Sequence, residues 1–157
     1  MAVEIERKFL VDKERWRQAI RPAGVLFRQG YLSNQTNPTI RVRVTDKQGF
    51  ITLKGTTSGI SRKEFEYEIP VAEAIELLDN FALSEISKTR YCIYYGDKLW
   101  EVDEFLGDNA GLIIAEIELQ REDELFTLPD WIMHEVSEDV RYFNSNLSVN
   151  PYKNWEN

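Results

Sequence analysis

The stretch Glu4-Ile5-Glu6-Arg7-Lys8-Phe9-Leu10 decides the fold of this chain. Read as a β-strand, it places Glu4, Glu6 and Lys8 on one face, because side chains alternate between the two faces of a strand. Two carboxylates that neighbour each other on one face repel, and a divalent cation such as Mg²⁺ removes that repulsion because it binds carboxylate oxygens. The pattern therefore predicts that this strand turns its charges toward an interior shared with other strands.

Charges of a single sign recur two residues apart in several other strand-like segments. These sets are Arg41/Arg43, Glu64/Glu66/Glu68, Lys88/Arg90 and Glu116/Glu118. In an ordinary half-buried sheet the charged face simply lies in water, and for any one segment alone this is the favoured interpretation. Alternating signs would suit a solvated face better, because like charges on one face repel. Arg and Lys bind phosphate oxygens and carboxylates bind metal ions, so a polyanion together with a divalent cation would satisfy both sets.

The hydrophobic pattern predicts eight strands and two helices. The strands are expected at 4–10, 25–33, 39–45, 50–54, 61–69, 83–95, 98–106 and 112–120, and the helices at 12–20 and 71–81. From about residue 121 the chain is predicted to form short helices and loop, with a capped helical turn over 136–142. Eight strands with helices at only a few junctions predict an α+β, mostly β protein built as a mostly antiparallel barrel.

Length and composition restrict the class of protein. A chain of 157 residues with 43% hydrophobic residues is expected to form a single domain, 1–157, with a substantial core. The net charge of −8 argues against a nucleic-acid binder or a protein of anionic membranes. Cys92 is the single cysteine and is compatible with the cytosol. Neither a signal peptide nor a bilayer-length apolar stretch is recognisable, so a soluble cytoplasmic protein is expected.

The charged motifs, taken together and in order, resemble those of the CYTH family, also called the triphosphate tunnel metalloenzymes. They are Glu4-x-Glu6-x-Lys8, Arg41-x-Arg43, Thr52-Leu53-Lys54, Ser61-Arg62-x-Glu64-x-Glu66, Lys88-x-Arg90-Tyr91, Asp103, Glu116-x-Glu118 and Val136-Ser137-x-Asp139-x-Arg141-Tyr142. The first motif alone is a weak pattern, whereas the ordered set covers nearly the whole chain. The resemblance implies an eight-stranded antiparallel closed barrel, a tunnel with a charged interior and a few helices packed outside.

The resemblance also implies roles for the charged residues. The metal-binding set is Glu4, Glu6, Glu64, Glu66, Asp103, Glu116 and Glu118, which would hold Mg²⁺ or Mn²⁺. Within it, Glu64 and Glu66 either bind a second metal or hold basic residues in place, and Asp103 is interpreted as an organiser of ligands. The substrate-binding set is Lys8, Arg41, Arg43, Lys54, Arg62 and Arg90. Arg62 is either a phosphate clamp or a partner of Glu64.

Tyr31 and Lys88 are a candidate catalytic pair. In some members of the family, a tyrosine and a lysine in similar positions resemble a dyad that activates the attacking water. A lysine among other cations has a lowered pKa and is able to act as a general base. The alternative is that Lys88 is one more phosphate clamp and Tyr31 a core residue.

The function implied is metal-dependent hydrolysis of a linear triphosphate, with inorganic tripolyphosphate, cleaved to pyrophosphate and phosphate, as the favoured substrate. Alternatives within the family are a class IV adenylyl cyclase and a thiamine or nucleoside triphosphatase. A non-catalytic polyphosphate-binding module is the alternative of another class. The expected partner is a small-molecule triphosphate substrate. Binding to nucleic acid or to a membrane is not expected, and a homodimer is possible.

Overall fold

The computed structural model describes residues 3–33, 35 and 37–155. Its strands are β1 (Val3–Val11), β2 (Val25–Tyr31), β3 (Thr39–Val44), β4 (Gly49–Lys54), β5 (Ser61–Ile69), β6 (Ser84–Tyr95), β7 (Lys98–Phe105), β8 (Ile113–Glu118) and β9 (Ile132–Glu135). Its α-helices are α1 (Lys13–Gln18), α2 (Val71–Phe81) and α3 (Asn144–Leu147), and short 3₁₀ turns lie at Gly107–Asn109, Val140–Tyr142 and Tyr152–Asn154.

Eight of the strands close into an antiparallel barrel. Along the sheet the order is β5-β4-β3-β2-β6-β7-β8-β1, and β1 pairs again with β5 to close the ring. The closing strand is β1, which places Glu4 opposite Arg62 on β5 and Lys8 opposite Glu116 on β8. Residues that are directly opposite in an antiparallel pair share a face. The predicted closed eight-stranded barrel is therefore confirmed, with its charged faces turned to one interior.

The C-terminal region contains a strand that the sequence interpretation missed. Residues 132–135 were expected in short helices or loop, but they form β9, which pairs with the second half of β1. The strand β5 covers β1 only at residues 3–5, so the edge of β1 that follows is left for another segment to pair. A four-residue strand is too short to show a hydrophobic period, which is why its sequence did not indicate it.

The apolar faces of the barrel strands point outward and are covered by helices and by the C-terminal region. Phe9 and Trp100 pack outside the barrel with Trp16 of α1 and Trp131 in a buried cluster. Asp12 caps α1 by accepting a hydrogen bond from the Arg15 backbone nitrogen. Because these aromatic and aliphatic side chains are buried on the outside of the barrel, charged side chains can occupy its interior.

The helix α2 covers the opposite side of the barrel. Its buried residues Ala74 and Leu78 pack against Val42 and Val44 of β3. Leu78 is only 2% exposed, so truncating it to alanine would cost about 2–5 kcal/mol of stability. None of the described helices has the length and apolarity that crossing a bilayer requires.

One end of the barrel interior is filled by apolar side chains. Ile86, Phe105 and Ile114 alternate in phase with the inward-facing charges of β6, β7 and β8, and they form a buried cluster with Tyr142 and Leu147. The C-terminal segment, residues 136–149, thus packs onto this end. The charged part of the interior begins next to this apolar end, where Phe105 lies opposite Lys88.

Candidate active site

The charged interior contains a cavity of about 220 Å³. Drug-sized ligands occupy pockets of roughly 300–1,000 Å³, so this cavity suits a small ligand. Its wall carries every residue of the predicted substrate-binding, metal-binding and catalytic sets except Asp103. The alternating pattern of the strands places these residues together because each motif occupies the inward face of a different strand.

The acidic side of the cavity is formed by β1 and β8. Glu6 lies opposite Glu118 in the register of these strands, and Lys8 lies 3.7 Å from Glu6 and 3.9 Å from Glu116. Burial raises the pKa of Glu4, Glu116 and Glu118, and neighbouring carboxylates raise each of them further. Burial opposes the charge of Lys8, but Glu116 and Glu6 raise its pKa overall. A cation is therefore electrostatically favoured on this side of the cavity.

Lysine ammonium groups lie among these carboxylates in the structure. The Nζ atom of Lys54 is 3.0 Å from Glu4 and 3.2 Å from Glu64. Among the described residues, no three acidic, histidine or cysteine side chains converge closely enough to form a ready-made metal site. The donors that Mg²⁺ or Mn²⁺ prefers are present, and a bound cation would replace lysine as their partner.

The basic side of the cavity is formed by β3 and β5. Among the described residues, neither Arg43 nor Arg62 has a carboxylate within ion-pair distance: Arg43 Nε donates to Gln29 Oε1 at 3.1 Å, and Arg62 Nε donates to the Gly55 carbonyl oxygen at 3.1 Å. Burial, together with the neighbouring Arg41 and Arg90 guanidinium groups, lowers the pKa of Arg43 to about 9. This side of the cavity therefore favours an anion.

Arg41 extends the basic side next to β4. It donates to Thr52 Oγ1 at 3.2 Å and to Glu66 at 3.3 Å, and Thr52 Oγ1 donates to the same Glu66 carboxylate. Its Nε atom is buried and has no hydrogen-bond partner among the residues that the structure describes. Glu66 therefore orients Arg41 but leaves part of its guanidinium unsatisfied.

Arg90 and Lys88, on the cavity wall, form a buried ion-pair cluster with Asp103, which lies outside the set of lining residues. Asp103 Oδ1 accepts from Arg90 Nε at 2.7 Å, and its Oδ2 accepts from Arg90 Nη2 at 2.9 Å and from Lys88 Nζ at 2.8 Å. Asp103 is fully buried, and although burial opposes its charge, Arg90 and Lys88 hold its pKa well below the usual range. This geometry favours the organising role for Asp103, because both of its oxygens are already occupied.

The two residues of the candidate catalytic pair, Tyr31 and Lys88, line the same cavity. Burial lowers the pKa of Lys88 to about 7; Asp103 opposes the shift, and Arg90 contributes to it. Tyr31 lies on β2 and its hydroxyl accepts a hydrogen bond from Gln29 Nε2 at 3.3 Å. No direct hydrogen bond joins Tyr31 to Lys88 in the described part of the chain.

Several residues of this site were missed by the sequence interpretation. Glu101 lines the cavity and bonds to Arg90 at 3.0 Å, and its alternation with Asp103 was a signal that could have found it. Gln29 shares its face with Tyr31, but a neutral amide does not stand out in a pattern of charges. Ser137 and Asn144 reach the cavity from the C-terminal segment, whose path no sequence period predicts.

Comparison with known proteins identifies the family of this chain. The model of the CYTH domain matches residues 2–149. The chain belongs to the CYTH family. This membership implies a metal cofactor but does not identify the metal.

Two relatives resemble the chain over nearly its full length. It is 50% identical over 157 residues to a protein of Acetivibrio thermocellus named inorganic triphosphatase, with 99% of each chain covered. It is 38% identical over 154 residues to a protein of Nitrosomonas europaea with the same name, covering 93% of this chain and 97% of the relative. Both names agree with the type of activity that the sequence motifs predicted.

Solved structures agree on the architecture. A crystal structure of an inorganic triphosphatase superposes with a TM-score of 0.65 at 34% identity, covering 95% of this chain and 96% of the other. A structure of a protein from Pyrococcus furiosus superposes with a TM-score of 0.60 at 19% identity, over 76% of this chain and 80% of the other. The second likeness concerns the fold alone.

Proposed function

We propose that this CYTH protein is a metal-dependent triphosphatase that hydrolyses inorganic tripolyphosphate to pyrophosphate and phosphate. The observation that carries the proposal is the division of one small cavity into a carboxylate side and a side with uncompensated guanidinium groups. A linear triphosphate with a divalent cation neutralises both sides at once. The names of the two relatives support the same substrate class.

The metal is proposed to be Mg²⁺ or Mn²⁺. Glu4, Glu6, Glu116 and Glu118 would hold it, and burial and repulsion from neighbouring carboxylates already disfavour the charged forms of Glu4, Glu116 and Glu118 without a cation. Glu64 would join them or would hold Lys54 in place, as its 3.2 Å contact suggests. When bound, the metal supplies neutralisation of charge on the phosphate oxygens.

The phosphate chain is proposed to lie against the basic residues. These residues are Lys8, Arg41, Arg43, Lys54, Arg62 and Arg90, and all of them line the cavity. Guanidinium groups bind two phosphate oxygens with two parallel hydrogen bonds, which fixes the orientation of the phosphoryl group as well as its charge. Orientation and charge neutralisation are the main contributions that proteins make to phosphoryl transfer.

The attack of water is proposed to depend on Tyr31 and Lys88. With a pKa of about 7, Lys88 is partly unprotonated near neutrality and is able to accept a proton. The competing role, a phosphate clamp, makes a different kinetic prediction. Lys88→Ala lowers kcat far more than it raises KM if Lys88 serves the water, and it mainly raises KM if Lys88 binds phosphate.

A neighbouring cavity supports a second candidate function, the hydrolysis of an organic triphosphate. It measures about 520 Å³, shares Tyr31, Thr39 and Arg62 with the charged cavity, and presents a mostly apolar surface, to which Leu83 and Phe143 contribute beside several serine and threonine residues. A cavity of this size and polarity suits an organic group such as a nucleobase. Nucleoside triphosphate hydrolysis and cyclase activity are therefore the alternatives to test beside the main proposal.

The proposal is tested by initial rates of phosphate release with Mg²⁺, Mn²⁺ or EDTA. Tripolyphosphate, ATP and pyrophosphate are compared at the same concentrations. A higher kcat/KM for tripolyphosphate than for ATP, with no turnover in EDTA, is the expected result. A higher kcat/KM for ATP would favour the second candidate, and turnover that persists in EDTA would contradict the metal-dependent reaction.

A further inference from the structure

Gln29 is a fully buried amide on the inward face of β2. Its Oε1 accepts from Arg43 Nε at 3.1 Å, and its Nε2 donates to Tyr31 Oη and to Asn144 Oδ1, each at 3.3 Å. Both ends of this amide therefore have partners. These partners lie on β2 itself, on the neighbouring β3 and on α3. A buried amide that is satisfied on both sides holds its partners in one arrangement.

Asn144 extends this arrangement from the C-terminal segment. It is the first residue of α3, and its Oδ1 accepts from Lys88 Nζ at 2.8 Å in addition to Gln29 Nε2. Lys88 is thereby held between two oxygens, one from Asp103 and one from Asn144. The two amides connect Tyr31, Arg43 and Lys88, which lie on β2, β3 and β6.

We propose that Gln29 and Asn144 are positioning residues that hold Tyr31, Lys88 and Arg43 in register for triphosphate hydrolysis, so that the C-terminal segment completes the active site. This inference rests on the proposed function. Neither amide is assigned a bond to the substrate. Their role is to act through the three side chains that they contact.

The chemistry of an amide suits both positions. Because Gln29 donates to Tyr31 Oη, the hydroxyl hydrogen of Tyr31 is left to point elsewhere, and Tyr31 lines the charged cavity. Asn144 offers Lys88 a neutral oxygen, which orients the ammonium without adding negative charge beside the phosphate site. An apolar side chain at position 144 would leave Gln29 Nε2 and Lys88 Nζ each without one partner.

The test is steady-state kinetics on the full chain with tripolyphosphate and Mg²⁺. Asn144→Ala is expected to lower kcat about 10–100-fold with a small change in KM, because a small displacement of reacting groups costs rate rather than binding. Asn144→Asp keeps both accepted hydrogen bonds but adds a carboxylate beside Lys88, which raises the pKa of this lysine, so it is expected to restore most of kcat at a higher pH and to raise KM. The matched control is Asn146→Ala in the same helix, whose amide bonds to the Arg141 carbonyl oxygen and is expected to leave both constants unchanged.

A double-mutant cycle separates a shared network from two independent effects. If Gln29 and Asn144 act together, the loss of kcat in the double alanine variant is smaller than the product of the two single losses. Wild-type kcat in Asn144→Ala, or multiplicative losses in the double variant, would overturn the inference. Should Asn144→Ala fail to fold, loss of kcat across the whole pH range in a folded Asn144→Asp protein would also overturn it. Failure of the proposed function is recognised separately, as absent turnover by the wild type.

Discussion

Replacing Asp103 with asparagine is predicted to destabilise the protein strongly even when no metal is present. The change keeps the shape of the side chain but removes the charge that Arg90 and Lys88 contact at 2.7–2.9 Å. The amide also presents a donor where the carboxylate accepted hydrogen bonds. Both cations would then remain buried with one partner fewer.

The expected magnitude follows from these contacts. Breaking a buried ion pair by removing one partner costs about 3–5 kcal/mol. The lower end applies here, because Arg90 keeps its 3.0 Å contact with Glu101 and Lys88, with a pKa of about 7, is able to lose its proton. A loss of about 3 kcal/mol corresponds to a fall in Tm of about 6–12 °C for a chain of this size.

The assay is urea unfolding in EDTA, with Asp108→Asn as the matched control. Asp108 pairs with Lys153 at the surface, where both side chains are more than half exposed, so the control is expected to change stability by about 0–1 kcal/mol. If Asp103 were instead a metal ligand, Asp103→Asn would lose metal affinity and leave the stability in EDTA intact. That outcome would refute the organising role argued from the structure.

Three further predictions concern metal, phosphate and pH. Glu6→Gln is expected to abolish metal-dependent turnover while the exposed Glu73→Gln on α2 does not; normal turnover in Glu6→Gln would remove Glu6 from the metal site. Arg43→Lys is expected to raise KM for tripolyphosphate about tenfold, because lysine lacks the planar fork of arginine. The control is Arg28→Lys, because Arg28 faces outward and pairs with Glu85 and Asp79. Because the pKa of Lys88 is about 7 in the fold and about 10.4 when unfolded, the unfolded state binds more protons between these values, so stability rises with pH there. Measured in EDTA, the unfolding free energy of the wild type minus that of Lys88→Met should increase by about 2 kcal/mol from pH 7 to 9. A difference that stays flat or falls would contradict the burial argument.

Much of the barrel was predictable because its charges obey a strict period. Like-signed residues two apart, as in Glu4/Glu6 and Arg41/Arg43, mark an inward face, and the strands and α2 lie close to their expected bounds. The closure of the barrel and the family are confirmed. The predicted metal and catalytic roles, the identity of the metal, the cytoplasmic location and the homodimer stay predictions.

The remaining features depend on long-range contacts that no local pattern encodes. The strand β9 exists because β1 offers an open edge, and Asn144 belongs to the site because the C-terminal segment packs across the apolar end of the barrel. The organising role proposed for Asp103 rests on its partners Arg90 and Lys88, since the residue type alone is equally suited to binding a metal. Neutral residues such as Gln29 carry no charge signal, so only the fold reveals their contacts.

The most direct test of the central proposal is phosphorus NMR of the products formed from tripolyphosphate, with ATP in parallel. Each is incubated with Mg²⁺ or Mn²⁺ and then with EDTA. The structure and its relatives lead us to expect equal amounts of orthophosphate and pyrophosphate from tripolyphosphate, with no product in EDTA. Two results would contradict the proposed triphosphatase activity. One is cyclic AMP from ATP without cleavage of tripolyphosphate, and the other is tight binding of tripolyphosphate with no product.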